Sequence, residues 1–307
     1  MQARHAFAAV ALTATAGVLA TACSASSAGT SPGVVTAVGA ENEYANVISQ
    51  IGGKYVRVSA IESNPNTDPH SFEASPSVAR EIAGAQLIVQ NGVGYDTYMN
   101  RIESSSPSSS RKVIVVQHLL GLPDSTLNPH LWYSPTTMPK VAEAIAADMS
   151  RLSPSHAAYF RANVARFDKS LKPWLNAIAQ FKAAYPGTPV AVTEPVGDYM
   201  LQAAGTDMKT PFGLQANIMN GVDLSPQYVS LQDSLFAQHK VKVFLYNQQV
   251  TDSVTTSFLA AAHRYGIPVV GVYETMPTPG YNYQSWMLAE VNALRKAVAS
   301  KVSTEKL

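Results

Sequence analysis

The chain has 307 residues, of which 46% are hydrophobic and only 14% charged, with a formal net charge of +1. That is apolar material for one large domain or two ordinary ones, which excludes a disordered chain. The balanced charge makes no electrostatic case for nucleic acid, and no stretch beyond the N-terminus approaches the roughly 20 apolar residues of a membrane span.

Residues 1–23 read as a lipoprotein signal peptide. Arg4 gives a positive start, Ala6 to Ala20 is apolar and uncharged, and Ala20, Thr21 and Ala22 are small residues where a peptidase would cut. The next residue, Cys23, is the only cysteine, so no disulfide can form within the chain. A lone cysteine there resembles a bacterial lipobox, although Ala20 stands where Leu is usual and Leu19 comes one place early. The resemblance implies lipid on Cys23 and anchorage to the outer face of a bacterial cytoplasmic membrane. Two or more acyl chains make such an anchor stable. Residues 24–33 are small and polar and read as a flexible tether; fully extended it reaches at most about 35 Å.

From there, short apolar runs alternate with helical patterns. Strands are expected at Val34–Gly39, Val56–Ile61, Leu87–Gln90 and Lys112–Gln117, with helices at Glu41–Ile51, Ser75–Ala83 and Asp96–Ile102. The second half repeats the plan, with strands at Pro189–Thr193, Val241–Tyr246 and Ile267–Tyr273 and a weak one near Thr206–Thr210. Its helices are expected at Val196–Ala204, Tyr228–His239, Ser253–Tyr265 and Ser285–Lys301. Continuous β-branched runs imply strands covered on both faces, hence parallel sheets with crossover helices.

Between the halves, Ser153-Pro154 is a helix-start signal and Pro186-Gly187 a stop. Phe160, Val164, Phe167, Leu171, Trp174, Ile178, Phe181 and Tyr185 follow at steps of four and three, an unbroken helical stripe. Such a helix spans roughly 45–50 Å and joins two lobes; its stripe is packing and carries no chemistry. Pro173 lies inside it and predicts a kink. The expected fold is α/β: two lobes, each a mostly parallel sheet covered by helices, joined by one long helix. The boundaries are 34–152 for the first lobe, 153–186 for the linking helix and 187–307 for the second lobe.

Of the seven histidines, His5 is in the leader, and His156, His239 and His263 fall in or beside helices as structural residues. His118 follows a strand and could support a site from behind. His70 and His130 differ. Each follows proline in a polar loop after a strand, in Asp68-Pro69-His70 and Asn128-Pro129-His130. Proline pre-sets the backbone, so a ligand held that way loses less freedom on binding. Glu194 and Glu274 stand at the ends of PVAVT and IPVVGVY. All four lie at or beyond the carboxyl ends of strands, two per lobe, where open α/β sheets bind ligands. Two imidazoles and two carboxylates suit a divalent metal, and the carboxylates balance its charge.

The segments ENEYANVISQIGG (41–53), SNPNTDPHSFEASPS (63–77), QNGVGYDTYMNRI (90–102), NPHLWYSP (128–135), NQQVTDSVT (247–255) and GIPVVGVYETMP (266–277) resemble the zinc/manganese family of ABC-transporter solute-binding lipoproteins. The likeness runs from about residue 34 to residue 300. It implies two lobes on one long helix and no catalysis. It also implies Zn2+ or Mn2+ as the transported ligand, held by His70, His130, Glu194 and Glu274, and a permease with its ATPase as partners of a monomer. The third ligand is histidine in many zinc-type members; here the position holds Glu194, as in the manganese-type branch. The His-rich loop common in zinc-type members is missing between Leu119 and Asn128. Two readings from other classes are a surface metallohydrolase, which needs an open coordination position and a base, and an adhesin lipoprotein on the same fold.

Overall fold

The computed structural model describes residues 34–307. The expected signal peptide, Cys23 and the expected tether lie outside the described residues. The first sheet holds β1 (Val35–Glu41), β2 (Val56–Glu62), β3 (Leu87–Gln90) and β4 (Lys112–Val115), all parallel, in the order β2-β1-β3-β4. The second holds β5 (Pro189–Val192), β6 (Asp207–Met208), β7 (Val243–Asn247) and β8 (Val269–Val272), again all parallel, in the order β6-β5-β7-β8. The two sheets therefore share one topology. In each, the strand order reverses between the first and third strands, which opens a crevice at their carboxyl ends. Central strands are apolar on both faces because helices cover both: Leu87, Ile88 and Val89 are fully buried, as are Val243, Phe244 and Leu245.

The covering helices of the first half are α1 (Asn42–Gly52), α2 (Pro76–Gly84), α3 (Thr97–Ser105), α4 (Val116–Leu119) and α5 (Thr137–Leu152). The linking helix α6 (Ala157–Ala184) follows a 3-10 turn at Pro154–His156. The second half has α7 (Asp198–Ala203), α8 (Phe212–Met219), α9 (Pro226–Ala237), α10 (Ser253–Arg264) and α11 (Tyr283–Ser300).

Helix α6 is 28 residues long and buries Phe160, Phe167, Leu171, Trp174, Ile178 and Phe181. At 1.5 Å per residue it spans about 42 Å. It runs through Pro173 as one element, with that proline on its exposed side. There water can serve the carbonyl that a proline leaves unbonded. On its buried side Trp174 meets Tyr283 of α11 edge-on, with ring centroids 5.9 Å apart. A single hydrophobic cluster thus runs from Val35 and Leu87 of the first sheet through Trp174 to Val190, Val243 and Val270 of the second.

Three helices, α4, α5 and α8, have no counterpart among the expected helices. Helix α5 has its buried Met138, Val141, Ala142, Ile145, Ala146 and Met149 at helical spacing, but much of that stripe is alanine and contrasts weakly with its surroundings. Helix α8 has little difference between its faces. Strand β4 also stops at Val115, where the chain turns into α4. His118 lies exposed on α4, away from any site, while its neighbour Gln117 is buried and accepts from the Val93 N–H at 2.6 Å.

Because the core is shared, the metal-free described region should unfold in urea as one cooperative transition, with tryptophan fluorescence and far-UV circular dichroism coincident. Trp174→Ala should cost about 3–5 kcal/mol and move that single transition. Two separated transitions, or a loss confined to one of them, would contradict the shared core.

Candidate metal centre

The two Asx-Pro-His segments fold alike. Asp68 Oδ1 accepts the backbone N–H of His70 at 2.8 Å and caps the turn Pro69–Ser71. Asn128 Oδ1 accepts the backbone N–H of His130 at 3.0 Å. In each case the residue before proline locks the histidine's backbone. The second loop is also pinned from β3: Asn91, just past its end, donates to the Pro129 carbonyl at 2.8 Å. Trp132 meets the His130 ring edge-on at 5.4 Å. Across the crevice Glu274 stands two residues past β8, and its backbone N–H donates to Gln249 Oε1 at 2.7 Å. Gln249 Nε2 reaches back to the Thr67 carbonyl at 2.8 Å, tying the His70 loop to the second half.

These elements bring His70 Nε2 and His130 Nε2 each to 3.1 Å from the same oxygen, Glu274 Oε2. The donor atoms of the three residues all lie within 4.8 Å of one another. His130 and Glu274 are fully buried, whereas the His70 side chain keeps 23% of its surface exposed. Beside His70 a cavity of about 580 Å³ opens between the halves, lined in part by Asp68, Asn220, Gln249 and Asp252. Glu194 is adjacent but outside that three-residue set. Its Oε2 accepts a short hydrogen bond from Asn247 Nδ2, which also donates to Glu274 Oε1 at 2.7 Å. Glu194 Oε1 is buried with no hydrogen-bond partner.

The protonation states follow from these contacts. Burial works to raise the Glu274 carboxyl, but hydrogen bonds from His130 and His70 and their charges outweigh it and hold Glu274 well below the usual range. Burial lowers His130, only partly offset by Glu274. Burial also works to lower His70, but Glu274 and Asp68 override it and raise it above its ordinary value. Glu194 is pushed well up, by burial first and by the Glu274 charge second.

The tautomer of His130 is set by its neighbour. Asn128 Nδ2 donates to the Pro195 carbonyl at 2.8 Å, so Oδ1 must face the ring, 2.8 Å from Nδ1. Nδ1 therefore carries the hydrogen, so Nε2 donates to Glu274 Oε2 only while the ring is protonated, and the neutral ring turns a lone pair toward that oxygen. Two acceptors facing each other in a buried place require a cation or proton to share. Two imidazole nitrogens, a charged carboxylate oxygen and the orphaned Glu194 oxygen are the donor chemistry of a divalent transition metal.

Several residues of the centre were not singled out from the sequence. Tyr95 donates to Glu274 Oε2 at 3.0 Å. Asn247 is the last residue of β7, and Gln249 lies two beyond it, the same offset at which Glu194 and Glu274 follow β5 and β8. A search for every polar residue at a strand's carboxyl end would have found both. The first half adds buried Glu41, Glu43 and Glu62, which burial keeps raised, Glu62 to about 9.

A sequence model of the family described as zinc-uptake complex component A, periplasmic (ZnuA), matches residues 38–297. The manganese-binding lipoprotein MntA of Bacillus subtilis (strain 168) is 27% identical over 159 residues, which is 50% of this chain and 52% of that one. The chain thus matches about half the length of this curated relative. Among solved structures, the periplasmic zinc-binding protein TroA from Treponema pallidum superposes with a TM-score of 0.73 at 18% identity, covering 88% of this chain and 100% of that one. The SBP FpvC from P. aeruginosa, in complex with a Ni2+ ion, gives 0.70 at 20% identity, covering 89% and 100%. At these identities the structural matches show the shared two-lobe fold.

Metal and protons compete for this centre. His70 is raised above 6.5 in the metal-free protein, so protons begin to displace the ion above that pH, and Glu194, also raised, adds to the effect. Metal affinity should therefore fall steadily from about pH 7.5 to about pH 5, with protons released on binding. Calorimetric titration in buffers of different ionisation enthalpy measures both. A flat affinity over that range would contradict the two-histidine centre.

Proposed function

We propose that this chain, which belongs to the ZnuA family of periplasmic zinc-uptake complex components A, captures one divalent transition-metal ion outside the cytoplasm and passes it to an ABC importer. The observation that carries the reading is the convergence of His70 and His130 Nε2 on Glu274 Oε2 in a buried crevice. Glu194 completes the donor set through its unpartnered Oε1. Four protein donors fill a tetrahedral zinc site and leave no position for an attacking water, which supports a carrier over a metallohydrolase. The cavity beside His70 is the path by which the ion enters, with Asp68 and Asp252 attracting it.

The finer reading has three parts. Lipid on Cys23 holds the protein at the membrane face, with residues 24–33 as tether. A permease and its ATPase receive the ion from a monomer. The ion is zinc or manganese; the general affinity order places zinc above manganese for nearly any nitrogen–oxygen site, so selection in the cell rests on geometry and supply.

Protein purified without added metal should carry at most one ion per chain by elemental analysis. His130→Ala and Glu274→Gln should each cost more than the about 10–100-fold that loss of a supporting partner costs. A metal-dependent hydrolytic rate, or full binding by both variants, would overturn the proposal.

In competitive titration zinc should bind at least about tenfold tighter than manganese, or about 1.4 kcal/mol. Glu194→His should widen that ratio, because it adds a nitrogen and removes a charge that a harder ion uses. An unchanged ratio would remove Glu194 from the ligand set. The shared core and the ties across the crevice predict only local movement on loading; a large change in radius of gyration by X-ray scattering would count against this.

A further inference from the structure

Asn247 touches both carboxylates of the centre, and its own geometry leaves it no freedom. It ends β7, and its backbone N–H donates to Thr193 Oγ1 at 3.0 Å. Its side-chain Oδ1 accepts the backbone N–H of Gln249 at 3.0 Å. That N–H can only donate, so a flipped amide would set two donors against each other. Nδ2 must therefore face the acids. An amide nitrogen has two hydrogens, and here one goes to Glu194 Oε2 and the other to Glu274 Oε1. The residue is fully buried, so no water replaces these bonds.

The consequence is a partition of four carboxylate oxygens. Asn247 occupies one on each acid. The two that Asn247 does not touch are Glu274 Oε2, which faces both histidines and accepts from Tyr95, and Glu194 Oε1, which has no hydrogen-bond partner. To bind a metal through both oxygens, either carboxylate would have to rotate until both faced the ion, straining the buried hydrogen bond by which Asn247 holds its orientation.

We propose that Asn247 is a specificity-determining residue: its amide holds both carboxylates to one donor oxygen each, limiting the site to four ligands and so favouring zinc over manganese. Four donors of mixed nitrogen and oxygen suit zinc, whereas manganese prefers a larger set of oxygens in octahedral geometry. Glu194 in place of a third histidine would by itself favour the harder ion, and Asn247 opposes that tendency. The inference rests on the four-ligand reading above.

Cobalt(II) reports coordination number directly, because a tetrahedral ion absorbs visible light far more intensely than a five- or six-coordinate one. The probe is cobalt(II) added to the metal-free full chain, in the natural sequence and as Asn247→Ala and Asn247→Asp. The aspartate variant keeps the shape and the acceptor for the Gln249 N–H, but replaces the donor by a carboxylate oxygen; the alanine variant removes the donor without adding charge. The natural protein should bind one cobalt with intense absorption. Both variants should still bind one, with weak absorption, and their zinc-to-manganese affinity ratio should fall by at least about tenfold.

Intense absorption in both variants would overturn the inference alone, as would weak absorption in the natural protein. Loss of cobalt from a variant with an unchanged circular dichroism spectrum would also overturn it, since Asn247 would then hold the site up rather than limit it. No stoichiometric cobalt in the natural protein would bring down the metal-receptor reading itself.

Discussion

The Glu274 carboxylate is fully buried where the carboxyl ends of the two sheets face each other, and four side chains converge on it: His70, His130, Tyr95 and Asn247. A lone charge there would be expelled or neutralised. It persists because His70 and the Tyr95 hydroxyl from the first half and the Asn247 amide from the second share the same anion. Removing one partner of such a buried arrangement typically costs about 3–5 kcal/mol, since the remaining groups are left uncompensated. A dication supplies more compensation than a single proton on His70 can. The centre is thus organised around one anion whose full satisfaction comes only with a metal.

The frame around that anion resists movement. Asn42 and the Met276 backbone exchange two hydrogen bonds of 2.9 Å across the crevice. Asn128 holds the Pro195 carbonyl, Gln249 holds that of Thr67, and Tyr133 donates to the Tyr273 carbonyl at 2.8 Å. The Asn128 and Tyr133 ties join the His130 loop directly to the two glutamate loops. Behind them α6 and α11 press one apolar core against both sheets. Side chains placed by such a frame are held in position before any ligand arrives. The exposed edge of His70 is the natural place for the little movement that loading and release require.

Much of this was legible in the sequence, for physical reasons that can be named. Parallel strands must be apolar on both faces, so runs such as LIVQ and VFLY stand out, and β3 matches its expected bounds of Leu87–Gln90. The α6 stripe is eight aromatic and aliphatic side chains at helical spacing. Proline before both histidines marked loops built to hold a side chain still. Other features depend on three-dimensional placement. Helix α5 was hidden by its alanines. Nothing in NQQVTD says that Asn247 turns its amide toward two acids from other strands, because an asparagine at a strand end is as often a turn residue. His118 looked better placed than Gln117 by residue type, yet α4 points the histidine to solvent. Of the four residues expected to converge, His70, His130 and Glu274 lie together, while Glu194 is linked to them through Asn247.

The most direct test is a crystal structure of the zinc-loaded protein with anomalous scattering collected at the zinc edge. The account predicts one strong anomalous peak bonded to His70 Nε2, His130 Nε2, Glu274 Oε2 and Glu194 Oε1, with the Asn247 amide still bridging the other two carboxylate oxygens. A peak bound elsewhere, or a zinc ion that Glu194 does not touch, would contradict it.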